Sequence, residues 1–171
     1  LIGTNINFYT CQVGTNSFSI VGGFAKDSVI QYNENTKDKR PFYGVIVTFK
    51  FLKIGNWTDQ ILKIQTPNAN FYFQLRFYQG LNHLCTPDPS SIDEELMINF
   101  RFNQNSNSLN FSFTSGAPGS LYWGIREFKI FRTSCNETCA SCFEPYDYQC
   151  LSCFSNSRLT NNNSCTCNDG F

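Results

Sequence analysis

Seven of the nine cysteines lie within the last 37 residues, in the run Cys135-x3-Cys139-x2-Cys142-x7-Cys150-x2-Cys153-x11-Cys165-x-Cys167. Cysteines this dense belong to small modules that cannot bury enough apolar surface to fold on a core alone, so cross-links hold the chain instead. The pattern predicts an oxidising compartment, with the protein secreted or at the cell surface. It also divides the chain. Residues 1–134 carry most of the aromatic and β-branched side chains, enough for a two-sheet core, and residues 135–171 form a small disulfide-rich module. The chain starts at Leu1 without an initiator Met or apolar leader, and stops at Gly170-Phe171 in mid-pattern. These ends read as a mature N-terminus after signal removal and a truncated C-terminal module.

Period-two alternation dominates the first 134 residues. Phe71, Phe73, Leu75 and Phe77 share one face while Tyr72, Gln74, Arg76 and Tyr78 share the other. Val45, Val47, Phe49 and Phe51 alternate with Ile46, Thr48, Lys50 and Leu52; Ile98, Phe100 and Phe102 alternate with Asn99 and Arg101; Leu109, Phe111 and Phe113 alternate with Asn110 and Ser112. This is the pattern of half-buried antiparallel strands with one wet face. Further strands are expected at 5–13, 17–21, 60–65 and 121–131, making about eight, with no amphipathic helix. The expected fold is all-β, an antiparallel β-sandwich of jelly-roll type followed by the disulfide-rich module. A closed barrel is the alternative.

Formal net charge is zero and only 15% of residues are charged. No basic block points to nucleic acid, and Lys37-Asp38-Lys39-Arg40 reads as a solvated loop. No apolar run approaches the ~20 residues that span a bilayer. Asparagine occurs 20 times, and four copies open N-x-S/T sequons: Asn56, Asn110, Asn136 and Asn162. Asn110 falls on the polar face of its strand, Asn56 follows Gly55 in a turn, and the other two lie between cysteines. All four are expected to accept N-glycans, Asn56 and Asn110 first.

Cys11 and Cys85 are the only cysteines outside the tail and are expected to pair. In the chain-entropy model, closing a loop of about 75 residues contributes roughly 4–5 kcal/mol. In the tail, three bonds among the first six cysteines allow fifteen arrangements, and spacing does not choose between them. Two C-x2-C pairs, Cys139/Cys142 and Cys150/Cys153, also suit tetrahedral zinc. The seven residues between them are short for a zinc ribbon, and three further cysteines would have no role. Disulfides are expected, and no metal or other cofactor.

The run Cys135-x3-Cys139-x2-Cys142-x7-Cys150-x2-Cys153 resembles the furin-like, growth-factor-receptor cysteine-rich repeat, and Cys165-x-Cys167-x2-Gly170-Phe171 is similar to the close of an EGF-like module. The resemblance implies the pairs Cys135–Cys142, Cys139–Cys150 and Cys153–Cys165. It leaves Cys167 unpaired in this segment, its partner falling beyond Phe171; a free thiol or an interchain bond is the alternative. The stretch Phe49 to Gln65 and the closing motif Trp123-Gly124-Ile125-x-x-Phe128-x-Ile130 look like the domain that precedes furin-like repeats in large ciliate surface and secreted proteins. That resemblance implies an extracellular architecture.

Catalytic chemistry finds little footing. His83 is the only histidine and has no nucleophile elbow beside it. Asp88, Asp93, Glu94 and Glu95 read as an exposed acidic linker after Cys85, lacking the ladder of a calcium loop. Asp147 and Asp169 lack the D-x-[DN]-E opening of calcium-binding EGF-like modules. Glycosidase chemistry needs two opposed carboxyls, and Glu127 is the only one expected within a strand, with Asp59 bordering another. Gly22-Gly23 and the glycines at 116–119 read as turns. Trp57, Tyr72, Tyr78 and Tyr122 are expected on turns or the outer face and, with Trp123, are candidate contacts for sugars or protein partners.

The expected function is a non-enzymatic extracellular structural glycoprotein, a β-sandwich head on a Cys-rich stalk that self-assembles into a coat or filament. The alternative is a carbohydrate- or ligand-binding module of a cell-surface receptor.

Overall fold

The computed structural model describes residues 2–3, 8–13, 16–25, 27–35, 41–57, 60–75, 84–85, 92–104, 108–116, 121–144, 146 and 148–168 of the 171-residue chain. Two antiparallel five-stranded sheets pack as a sandwich. The first sheet runs in the order β1 (Ile2–Gly3), β4 (Val29–Asn35), β9 (Ser108–Ser115), β6 (Gln60–Gln65), β7 (Asn70–Leu75). The second runs β2 (Phe8–Val13), β3 (Asn16–Phe24), β10 (Tyr122–Ser134), β5 (Phe42–Ile54), β8 (Glu94–Asn103). Among the described residues of these two sheets, only β2–β3 and β6–β7 pair consecutive strands, so most of this part of the chain shuttles between sheets. The all-β sandwich expected from the alternation is what forms, as two sheets and not a closed barrel. It carries two strands more than the alternation indicates, β1 and β4.

The chain forms two compact units, Leu1–Asn33 with Thr48–Asn99 and Asn110–Lys129, and Glu34–Val47 with Phe100–Leu109 and Ile130–Phe171. In the first unit the inward phenylalanines interlock. Phe49 meets Phe113 edge to face at 5.1 Å between centroids, Phe128 lies within 6.1–6.3 Å of both, and Tyr32 stacks on Phe111 at 5.0 Å. The closing strand reaches this cluster by breaking the two-residue period. Glu127 adopts φ 51°, and this left-handed residue lets Ile125 and Phe128, three apart, both serve the core.

The face of β5 expected to be wet is not wet at its end. Leu52 is fully buried in a second small cluster with Cys11 and Ile20, packed by Phe18, Ile54 and Cys85. The Cys11–Cys85 disulfide draws residues 84–85 over that side of the sheet and removes it from water. Lys53 is buried too, and its ammonium pairs with the Glu94 carboxylate. The acidic stretch is therefore not an exposed linker. Asp93 is buried, and Glu94 and Glu95 belong to β8, so Glu127 is not the only strand carboxylate.

In the second unit the tail folds as two small hairpins, β11 (Cys139–Cys142) with β12 (Cys150–Cys153) and β13 (Ser157–Leu159) with β14 (Cys165–Cys167). Disulfides join Cys135 to Cys142, Cys139 to Cys150 and Cys153 to Cys165, and Cys167 is a free, exposed thiol. The C-x2-C cysteines are thus consumed by sulfur bridges. Tyr43 of β5 packs into the cluster formed by Cys135, Cys139, Cys142 and Cys150, and Cys135 N donates to Pro41 O at 2.8 Å. The module's interior is therefore largely sulfur, with one aromatic ring supplied by an earlier strand.

Outside the core of the first unit, Lys50 Nζ reaches Glu127 at 2.9 Å and Glu95 at 3.2 Å, and Arg126 Nε donates to Glu95 at 2.5 Å while its guanidinium lies 4.2 Å from the Phe18 ring centroid. The Lys50 hydrogen bond holds the Glu127 carboxyl below its ordinary range, and Glu127, then Glu95, raise Lys50. A lowered carboxyl stabilises the fold above its unfolded pKa of 4.5 and loses that contribution as pH falls through the lowered folded value. A raised ammonium stabilises the fold below 10.5 and loses its contribution as pH rises through the raised folded value.

Phe49→Ala should lower unfolding free energy by about 3–5 kcal/mol, whereas Tyr72→Ala on the exposed face should change it by ~0.5 kcal/mol or less, both read as denaturant midpoints at unchanged m-value. Glu127→Gln should reduce the loss of stability on acidification below pH 4.5, checked by thermal melts across pH. An unchanged acid limb would show that this carboxyl is not linked to folding.

Candidate functional site

At the edge of the second sheet, the β2–β3 hairpin sets Tyr9 opposite Ile20 and Cys11 opposite Phe18. The disulfide from Cys11 to Cys85 brings a distant segment beside this hairpin. Asp93 then holds the segment in register. Its Oδ2 accepts from Leu84 N at 3.0 Å and Cys85 N at 2.6 Å, and its Oδ1 accepts from Gly55 N at 2.8 Å. One buried carboxylate thus satisfies three backbone donors on two separate segments, the charge-assisted arrangement that makes a buried anion tolerable. Trp57 completes the frame, its Nε1–H directed at Ile54 O and Tyr122 O, each 3.2 Å away.

Between these supports lies a cleft of about 350 Å³ lined by Tyr9, Thr10, Cys11, Ile20, Gly23, Ile54, Cys85 and Tyr122. Two exposed tyrosines flank aliphatic side chains and the disulfide. Gly23 makes the Tyr9 wall possible. It sits at φ 74°, and a Cβ there would lie 2.4 Å from the Tyr9 ring. The lining supplies apolar contact, flat ring faces and two phenol hydroxyls, the chemistry of gripping a partly apolar ring or side chain.

The second unit presents a different surface. Gln149 organises the turn after β11: Phe143 N donates to Gln149 O at 3.2 Å, Gln149 N to Tyr146 O at 3.1 Å, and Gln149 Nε2 to Glu144 at 2.5 Å. The turn carries Tyr146 and Tyr148 outward with their rings stacked 5.5 Å apart and 3° from parallel. Beside them, Tyr43, Arg101, Asn103, Phe143, Glu144 and Tyr146 line a cavity of about 370 Å³. Leu151, Phe154 and Leu159 are exposed on the same module.

Of the aromatic side chains expected to make contacts, Tyr72 and Tyr122 are exposed, and Tyr122 forms a wall of the cleft. Trp57 and Trp123 correct the expectation: they are 2% and 0% exposed. Both indoles pack on the Phe51 ring, at 5.9 and 5.5 Å, and the Trp123 Nε1–H finds Ala25 O at 3.3 Å. A large apolar ring whose one polar hydrogen finds a carbonyl is more stable inside. Tyr78, His83, Asp88, Asp59, Asp147, Asp169 and the Lys37–Arg40 stretch lie outside the described residues. Among the sequons, Asn56 and Asn162 are exposed, while Asn110 and Asn136 are half-buried. Asn136 Oδ1 accepts from both Thr138 N and Thr138 Oγ1, at 3.1 and 2.9 Å.

Sequence reasoning passed over Tyr9 and Ile54 and placed Asp93 in an exposed linker, because the roles of all three depend on segments far apart in the chain. It also passed over Phe143, Tyr146, Tyr148 and Phe154, for which a signal existed: aromatics in a module with almost no interior have to be exposed. No protein-family model matches the chain, and no curated protein matches it. The organisation established by the structure is a two-sheet β domain followed by a disulfide-rich C-terminal region, whose bridges require an oxidising environment to form.

Asp93→Ala strands three backbone donors and should cost about 3 kcal/mol or more in unfolding free energy, with Asp93→Asn intermediate. A loss under ~1 kcal/mol in urea unfolding would show that Asp93 does not carry this frame. Gly23→Ala should displace Tyr9, read as a change in tyrosine fluorescence or in the Tyr9 ring NMR signals, with the Cys11–Cys85 bond intact by mass.

Proposed function

We propose that this chain is a non-enzymatic extracellular glycoprotein whose disulfide module makes lateral protein contacts in an assembly such as a surface coat or filament. The observation that supports it most directly is the exposure, between 43% and 54%, of Phe143, Tyr146, Tyr148, Leu151, Phe154 and Leu159 on a module held together by sulfur. Apolar area left in water forgoes about 25 cal/mol per Å² of burial, and clusters of this kind mark surfaces that become covered. Stacked tyrosines beside an arginine have the composition of interface centres. The disulfides free these side chains from core duty, since the module stays folded without burying them.

The resemblance of the tail to furin-like, growth-factor-receptor repeats with an EGF-like close, and of the sandwich to ciliate surface proteins, agrees with a cell-surface or secreted location. A second reading, recognition of a carbohydrate or other ligand by the sandwich, is favoured by the tyrosine-flanked cleft beside Cys11–Cys85. Its anchors would be Tyr9 and Tyr122, not the two buried tryptophans.

Sedimentation velocity tests the assembly reading. The wild-type chain is expected to self-associate with rising concentration, and Tyr146→Ser/Tyr148→Ser should weaken association roughly tenfold or more while all four disulfides remain intact. A chain that stays monomeric up to its solubility limit, or a double variant that associates equally well, overturns it.

A further inference from the structure

β9 is the central strand of the first sheet, flanked by β4 and β6. Its triplet Asn110-Phe111-Ser112 sends Phe111 into the core, which leaves Asn110 and Ser112 together on the opposite face. There a shallow cleft of about 280 Å³ is lined chiefly by Gln31 and Asn33 of β4, Gln65 and Pro67 from β6 and its turn, and Asn110 and Ser112 themselves. Gln65 stands directly opposite Ser112 in the ladder.

Every residue of this lining is uncharged. A phosphate, a nucleotide or a metal ion would find no counter-charge here. A neutral polyhydroxylated ring fits better. Each carboxamide offers two N–H donors and a carbonyl acceptor, matching neighbouring hydroxyl and acetamido groups that both donate and accept. Pro67, exposed at the rim, offers an apolar face to ring C–H groups. The volume is near the lower bound of ligand pockets, about 300 Å³, and suits one or two pyranose rings. The only sequon asparagine among these residues is Asn110, half-buried where those rings would attach.

We infer that the first N-acetylglucosamine residues of a glycan linked to Asn110 lie in this cleft against Gln31, Asn33 and Gln65, instead of projecting into solvent. The inference rests on the secretory location proposed above. The attachment is made by the host transferase: Asn110 Nδ2 attacks C1 of a polyprenyl-diphosphate-linked oligosaccharide. The C1–Nδ2 bond forms, the C1–O bond to diphosphate breaks, the polyprenyl diphosphate leaves, and one amide proton passes to a base. Once attached, the sugar is present at high effective concentration, so a few modest hydrogen bonds hold it in place.

The test expresses the chain through a eukaryotic secretory pathway, treats the folded glycoprotein with peptide N-glycosidase F, and follows each site by glycopeptide mass mapping. Release at Asn110 is expected to be roughly tenfold or more slower than at Asn56, the scale of one or two net hydrogen bonds, and equal after reduction and denaturation. Gln31→Ala/Gln65→Ala should bring native release at Asn110 towards the Asn56 rate without changing occupancy. Secreted protein occupied at Asn56 but bare at Asn110, equal native rates at the two sites, or a double variant with the Asn110 rate unaltered would each overturn the inference alone. A secreted chain with no sequon occupied overturns the glycoprotein reading with it.

Discussion

Phe49, Phe113 and Phe128 meet where the two sheets press together, and the rest of the sandwich is arranged to let them do so. Fully burying a side chain of this size is worth about 1.5–3 kcal/mol, and edge-to-face geometry adds to that. The three rings come from β5, β9 and β10; β9 and β10 follow one another in the chain, and β5 lies far earlier, before β6, β7 and β8. With few consecutive pairings, the fold can gather this cluster only through long-range contacts, at the loop-closure cost that slows β-sandwich folding. The left-handed Glu127 belongs to the same account: a strained residue is tolerated because it lets β10 place both Ile125 and Phe128 inward.

A second theme is the use of sulfur and charge where apolar area is scarce. The segment at 84–85 is held against the sheet by one disulfide and by a carboxylate that takes three backbone hydrogens. The tail follows the same logic, its cysteine cluster closed by Tyr43. Because cross-links hold these regions, their aromatic side chains remain available at the surface. The two candidate contact surfaces, the Tyr9–Tyr122 cleft and the Tyr146–Tyr148 stack, both lie beside covalent staples.

Alternation was a good guide wherever one face is dry and the other wet. The burial of β7, of β9 and of β8 from Met97 onward follows it residue by residue. β4 escaped because its inward positions read Ile30, Tyr32, Glu34, and a glutamate breaks the apolar stripe; in the fold Glu34 pairs with Arg132. Lys53 hides in the interior of β5 for a similar reason, its partner Glu94 lying on another strand. Trp57 was misplaced because a tryptophan after a glycine in a polar turn looks exposed until Phe51 and two carbonyls are brought to it.

By itself the sequence determined the strand-rich class, the concentration of sulfur in the tail and the requirement for an oxidising environment, because side-chain period and cysteine density are local properties of the chain. Only the tertiary structure decided that Leu52 is dry, that Asp93 is a buried anchor and that Asn110 sits in a cleft among Gln31, Asn33 and Gln65. Each of those depends on residues far apart in the chain meeting in space. Their partners are chosen by sheet order and by a disulfide, and no pattern within a single strand carries that information.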